Sequence, residues 1–340
     1  VAFLIYGANG YTGELIAREA VRRGLKPIVA GRNAEKLATL ANELGLESRA
    51  FPLDKPQLDG VDAVLHCAGP FVHTSAPMVR ACIDAGAHYL DITGEFTVFE
   101  AIMAKNDAAT RAGVTLIPGV GFDVVPTDCL AAMLAARLPG ATELELAFYS
   151  PGAEISRGTL KTMIENISVG GAIRYDGMIV SVPAAFDAKE ILFSIAPRMA
   201  MTIPWGDVST AFHTTGIPNI RVYTAASPKS IKRMRRLGPF LPLLGITPIK
   251  RALQSFANRR TGPDEARRAA GRTYLWGRVS DGKRDVTMTM TTPEGYAFTV
   301  ISALRAVEQL LASPKRPGAF TPAKFFGPEF VTTLPGVELT

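Results

Sequence analysis

Tyr6-Gly7-Ala8-Asn9-Gly10-Tyr11-Thr12-Gly13 is the stretch that decides how this chain folds. It follows a short apolar run at 2–6 and leads into a helical pattern at 12–23. Glycines at this spacing, set between a strand and a helix, read as a dinucleotide-binding turn. Gly7 permits the tight turn as the strand ends, and Gly10, lacking Cβ, lets the backbone approach a pyrophosphate. Gly13 lets the first helix lie close to the sheet. The helix N-terminus adds free amides and partial positive charge, so the expected cofactor contacts are Gly7, Ala8, Asn9, Gly10, Tyr11, Thr12 and Gly13.

Outward from that turn, short apolar runs at 27–30, 49–52, 63–67, 89–92 and 114–118 alternate with helical patterns at 34–44, 77–85 and 99–111. That alternation marks a parallel sheet with crossover helices. Asn33 suits an N-cap, and Gly24, Gly45, Gly86 and Gly113 each stand where a helix should stop. After Phe122 the rhythm changes. A helix at 127–138 leads to an antiparallel strand at 143–149 and a helix at 158–167 with Leu160, Met163, Ile164 and Ile167 on one face. Further strands are expected at 178–182, 191–194, 220–224, 274–279 and 286–292. A long helix at 296–311 is expected to return to the first domain, followed by a turn-rich tail at 317–339. The fold class expected is α/β: a Rossmann-type doubly wound parallel sheet with a second mixed α+β lobe. The division is 1–126 for the nucleotide domain, 127–292 for a substrate and dimerisation lobe, and 293–340 for the returning helix and tail.

With 340 residues the chain is long enough for two cores, since single cores stop growing at about 250–300 residues. Its 47% apolar and 20% charged content is that of a soluble globular protein. No apolar run is long enough to span a bilayer, and no charged-then-apolar leader precedes the first strand. Cys67, Cys82 and Cys129 are odd in number, lack metal-ligand spacing and sit in apolar stretches, which reads as buried thiols in a cytoplasmic protein.

Cofactor choice is read at the end of the second strand. An acid there would accept from a ribose 2′-hydroxyl; here Gly31-Arg32-Asn33 presents an arginine, whose planar fork suits a 2′-phosphate. The expected cofactor is therefore NADP(H), against the plainer reading of Arg32 as a solvated turn residue. Ala68, Gly69 and Pro70 form a second loop passing over the cofactor, and Asp54 suits either the adenine amino group or open solvent.

In open α/β sheets reactive groups gather at the carboxyl ends of the strands. His73, Asp91, Glu95, Phe122 and Asp123 lie there, with Tyr89 if its strand ends early. The catalytic candidates are Asp91 and Glu95, to orient ribose or polarise substrate; His73, to donate a proton; and Asp123. Helix capping is the competing role for the first two, a plain polar loop for His73, and a solvated helix face for Lys161. His66 and His88 read as structural. A tyrosine followed four residues later by lysine, GxSxG, HExxH and GxxxxGK[ST] are all absent.

These residues resemble the saccharopine dehydrogenase-like oxidoreductases. The resemblance is carried by 6–13, Ala30-Gly31-Arg32, Ala68-Gly69-Pro70-Phe71, 88–95, 118–126, Ser156-Arg157-Gly158-Thr159 and Gly295-Tyr296, densely over 1–128 and more thinly beyond. It implies an NADP(H) domain carrying an inserted α/β lobe, often paired into homodimers. The family includes saccharopine-forming enzymes, trans-acting enoyl reductases and lipid-associated proteins. No arginine cluster for an amino-dicarboxylate stands out here, which weakens the saccharopine reading for this chain.

Net charge is +6 but uneven, with Lys229, Lys232, Arg233, Arg235 and Arg236 followed by Lys250, Arg251, Arg259, Arg260, Arg267 and Arg268. Within 231–260 these cations join Leu237, Phe240, Leu241, Leu243, Leu244 and Ile246, while Pro239, Pro242 and Pro248 forbid one continuous helix. Such a segment suits an anionic membrane surface or a lipid-like substrate, a lid, or a dimer contact. Nucleic acid is disfavoured, because no aromatic-interleaved basic surface appears. Two functional readings follow: a reductase of a polarised C=C (enoyl) or C=N bond in a hydrophobic small molecule, or a cofactor-binding, lipid-associated protein without turnover.

Overall fold

The computed structural model describes residues 2–165, 170–244, 247–257 and 261–340. Ile167, Ile246, Arg259 and Arg260, named above, lie outside them. In the first sheet, β1 (Phe3–Tyr6), β2 (Ile28–Gly31), β3 (Ser48–Ala50), β4 (Ala63–His66), β5 (His88–Asp91) and β6 (Thr115–Ile117) pair in parallel in the order 3-2-1-4-5-6. β1, β2 and β4 are buried along their whole length, which is why their sequences run apolar without alternation. Between the strands lie α1 (Tyr11–Arg22), α2 (Ala34–Leu44), α3 (Phe71–Ala85), α4 (Phe96–Met103) and α5 (Asn106–Ala112). Asn33 caps α2 by accepting from Lys36 N at 2.9 Å, and Gly45, Gly86 and Gly113 end α2, α3 and α5 in the left-handed conformation.

Two helices differ from expectation. α3 begins at Phe71 and carries Pro77 inside it, whereas a proline ordinarily marks a first turn. The pattern at 99–111 is two helices, broken at Ala104-Lys105.

After α6 (Val125–Arg137) comes the second lobe. It comprises β7 (Glu143–Tyr149), α7 (Arg157–Glu165), β8 (Gly171–Tyr175), β9 (Met178–Val182), β10 (Ala188–Leu192), β11 (Pro197–Thr202), α8 (Asp207–Thr215), β12 (Asn219–Ala225), α9 (Pro228–Leu237), α10 (Leu241–Leu244), α11 (Thr247–Ala257), α12 (Glu265–Ala270), β13 (Arg272–Ser280) and β14 (Asp285–Pro293). β8 and β11 were not expected. β7 is antiparallel to β13 but parallel to β12, so the second sheet is mixed. On α7, Ile164 is buried whereas Met163 is 55% exposed, so the expected apolar face is only partly one.

α13 (Gly295–Ala312) returns as expected and packs on α1 and β4. The tail then serves both sheets. β15 (Gly318–Ala319) extends the first alongside β6; after α14 (Pro322–Phe326), β16 (Glu338–Leu339) pairs with β14 of the second. One hydrophobic core runs continuously from β1, α1 and α2 through α6 and α13 to β7, β12 and β13. It fixes the two lobes against each other, with the carboxyl ends of β1 and β4 facing the gap between them.

Candidate functional site

β1 and β4 are neighbours, but α1 and α3, the helices that follow them, pack on opposite faces, in separate cores. Their carboxyl ends therefore open into a crevice at the topological switch. A cavity of about 830 Å³ lies there. Its floor is the glycine turn. Gly7 N and Ala8 N both donate to Ala30 O, at 2.7 and 3.1 Å, and Gly10 N closes the turn on Gly7 O at 2.9 Å. Gly7 has φ +88°, and a Cβ there would stand 2.9 Å from Ala68 Cβ. A Cβ on Gly13 would collide with the Gly7 carbonyl, so this glycine is what brings α1 onto the turn. Glu14 N is the first amide of α1 to find a carbonyl, Gly10 O; the amides before it in the helix are left for a ligand.

The opposite wall belongs to the second lobe. Arg157, Gly158 and Lys161, at the start of α7, line the same cavity as Arg32. Burial first, then the Arg157 and Arg32 charges, pull the Lys161 ammonium below the usual lysine range. Among the described residues none of these three cations is paired with a carboxylate. Helix amides and Arg32 on one side and two further unpaired cations, Arg157 and Lys161, on the other fit a dinucleotide carrying an extra phosphate.

Ala68 and Gly69 line this cavity as expected, whereas Pro70 stands behind them as the N-cap of α3. Asp54 is exposed after β3, within electrostatic reach of Tyr6 but outside the lining. Tyr11 has a second role. Its hydroxyl donates to Pro263 O and accepts from Arg268 at 3.0 Å, fastening 261–268 across the turn.

A second cavity of about 630 Å³ adjoins the first at Thr12. Ile92, Phe122, Trp205 and Tyr296 give it an apolar wall, and Asp123 opens into it. Asp123 is held by its backbone, with Trp205 Nε1 donating to its carbonyl at 2.9 Å, while its carboxyl rests against Gly94. Burial pushes that carboxyl up to about 7. Tyr296 joins three elements at the boundary between the cavities. Its hydroxyl accepts from Ser156 N at 2.7 Å, bonds Thr159 Oγ1 at 2.7 Å, and its ring meets Tyr11 edge-on at 5.0 Å.

The other three catalytic candidates line neither cavity. Asp91 is fully buried and takes donors from Tyr89 OH at 2.7 Å, Thr93 N at 3.0 Å and Gly119 N at 2.8 Å. It ties β5 to the loop after β6. Glu95 accepts from Phe71 N at 2.7 Å and Val72 N at 3.2 Å, capping α3. The His73 side chain is 62% exposed, with Nε2 3.4 Å from Glu165 of α7, and clips the lobes together. His66 is buried and held neutral, its pKa lowered to about 3, and His88 Nδ1 accepts from Thr115 N at 2.9 Å; both are structural. Cys67, expected to be buried, is partly exposed in the cofactor cavity.

Sequence reasoning assigned no role to Arg157, Thr159, Trp205 or Tyr296. Ser156 and Thr159 at capping spacing, before an amphipathic pattern, were the local signal available for the first two.

Residues 3–117 match the model of the saccharopine dehydrogenase NADP binding domain. The human saccharopine dehydrogenase-like oxidoreductase is 30% identical over 196 residues, 47% of this chain and 44% of that protein. A trans-acting enoyl reductase of Mycobacterium bovis is 33% identical over 138 residues, 37% of this chain and 33% of that one. The matches thus span less than half the length of these relatives. Among solved structures, apo saccharopine dehydrogenase (L-Glu forming) from Saccharomyces cerevisiae superposes with a TM-score of 0.63 over 100% of this chain and 99% of that one. At 12% identity this shows a shared fold. The nucleotide turn, the order of the parallel sheet and the matched domain agree: residues 3–117 form an NADP(H)-binding domain similar to that of the saccharopine dehydrogenases.

Proposed function

We propose that the protein reduces a polarised C=C or C=N bond of a hydrophobic small molecule at the expense of NADPH. The observation that carries this reading is Asp123, an acid titrating at about 7 in an apolar cavity that shares Thr12 with the cofactor cavity. NADPH, when bound, supplies the hydride. Gly7, Gly10, the first amides of α1, Arg32, Arg157 and Lys161 hold its phosphates. Tyr296 keeps Ser156 and Thr159, and with them the α7 wall, in place. Phe122, Trp205 and Ile92 exclude water from the second cavity. Asp123 Oδ gives a proton to the substrate atom that has gained charge, and recovers one from solvent.

An amino-dicarboxylate fits this cavity less well. Arg267 is engaged by Glu154, and Arg272 by the carbonyls of Ala269 and Gly271. A cofactor-binding protein without turnover is the competing reading, and a panel of enones, imines and acyl thioesters separates the two. Oxidation of NADPH by any of them supports reduction; tight NADPH binding without oxidation of any favours the second.

Cofactor choice has its own test. Arg32→Asp should weaken NADPH binding by about 10–100-fold, the range for a charge-assisted contact, and leave NADH binding equal or tighter. Titration of both cofactors by fluorescence checks this, and unchanged NADPH affinity would refute the role given to Arg32.

A further inference from the structure

α9 reads Pro228-Lys-Ser-Ile-Lys-Arg-Met-Arg-Arg-Leu237: five cations, no acid, and a serine cap that accepts from Ser230 N. Ile231 is the side of the helix that is buried. Among the described residues none of Lys229, Lys232, Arg233, Arg235 and Arg236 is paired with a carboxylate. Arg235 is exposed, and its Nε donates to Ala185 O at 2.9 Å. That bond docks the loop 183–187 on the helix, as does Gly238, where a Cβ would stand 3.7 Å from Ala184 Cβ. Ala184 and Ala185 are buried beneath this contact, and Ala185 is held at φ +53°, a conformation an alanine rarely adopts. The next residue, Phe186, is 47% exposed. At the other end of the contact, Leu237 is 44% and Phe240 60% exposed.

Exposed apolar side chains set among unpaired cations are an arrangement that water does not stabilise and an anionic interface does. None of these residues lines either cavity, so neither cofactor nor substrate accounts for them. No helix of the described residues is long and apolar enough to cross a membrane, and the arrangement is one for lying on a surface.

We propose that the loop 183–187 and the end of α9 form a docking surface for an anionic lipid bilayer. Phe186, Leu237 and Phe240 enter the boundary between headgroups and acyl chains, and Lys229, Lys232, Arg233 and Arg236 meet the lipid phosphates. The chain beyond α9 runs through α11 to Thr261 and Pro263, which line the cofactor and second cavities respectively. The surface is thereby tethered to the site without being part of it.

Co-sedimentation of the whole chain with vesicles of phosphatidylcholine, alone or with about one-third phosphatidylglycerol, tests this. The chain should partition at least about tenfold more strongly onto the anionic vesicles, and high salt should weaken that preference. Each basic residue near such a surface is worth about a fivefold gain, so changing Lys229, Lys232, Arg233 and Arg236 together to serine should lower partition by about 100-fold or more. Phe186→Ser with Phe240→Ser should lower it by about tenfold at unchanged charge. NADPH affinity, unchanged in both variants, reports that they are folded. Equal partition onto neutral vesicles, or none onto either, overturns the proposal. So does an anionic preference indifferent to the phenylalanine pair, or tight single-stranded DNA binding that those changes abolish while vesicles are ignored.

Discussion

Asp123→Asn is expected to lower turnover by about 10²–10⁴-fold, the usual contribution of a positioned general acid. NADPH affinity should be almost unchanged, because Asp123 faces the second cavity and not the cofactor cavity. The pH profile separates this role from a merely structural one. The carboxyl titrates at about 7 instead of the ordinary 3.8, so wild-type turnover should fall as pH rises above about 7, where Asp123 loses its proton. Asparagine cannot titrate. The ratio of wild-type to variant rates should therefore be largest below pH 7 and shrink above it.

The same substitution should act on stability in the opposite sense. Between pH 4 and 7 the folded chain keeps a proton on Asp123 that the unfolded chain has released, so this group takes stability away as pH rises through that window. Asp123→Asn should remove that loss and melt higher than wild type at pH 8. A variant that melts lower at pH 8 and is slower than wild type by the same factor at every pH would assign Asp123 to the scaffold alone.

The second large effect belongs to Gly13. A side chain there meets the Gly7 carbonyl, which Gly10 N already engages, and 2.9 Å away is Ala8 Cα. These are backbone atoms, with no flexible side chain to yield. Gly13→Val should cost about 3 kcal/mol through overpacking, and α1 should shift away from the turn. A melting temperature lower by about 4 °C is expected, together with loss of NADPH binding. Gly24→Ala is the control. Gly24 has open space around it, so any cost there comes from its φ of +77° alone, and NADPH binding should survive.

The opening turn could be read locally because its chemistry is local: strand, three glycines and helix lie within a few residues. The alternation of β1 to β6 with α1 to α5 was equally legible, since buried parallel strands leave unbroken apolar runs and glycines mark the helix ends. β8 and β11 were hidden for a physical reason. Gly171–Tyr175 carries a buried Arg174, which pairs with Glu100 and donates to the Val208 and Gly177 carbonyls, so an inward position looks polar. In Pro197–Thr202 a proline opens the strand and only Ala200 and Thr202 are fully covered. β15, two residues long, exists because β6 offers it an edge.

At the site the limit is distance along the chain. Arg32, Arg157 and Lys161 converge on one cavity from two lobes, and Tyr296 reaches Ser156 across 140 residues. No local pattern records that. Asp91 illustrates the converse. The end of a parallel strand is where reactive acids gather, but Gly119 N and Tyr89 OH occupy this carboxylate before any ligand can.

Reduction with NADPH deuterated at the transferred position tests the central claim most directly. The product of a hydrophobic enone or imine, analysed by mass spectrometry, should carry the deuterium on carbon with the wild-type chain, and almost none with Asp123→Asn over the same interval. NADPH bound at saturation, with no deuterium in any product at any pH between about 5 and 9, would contradict the account.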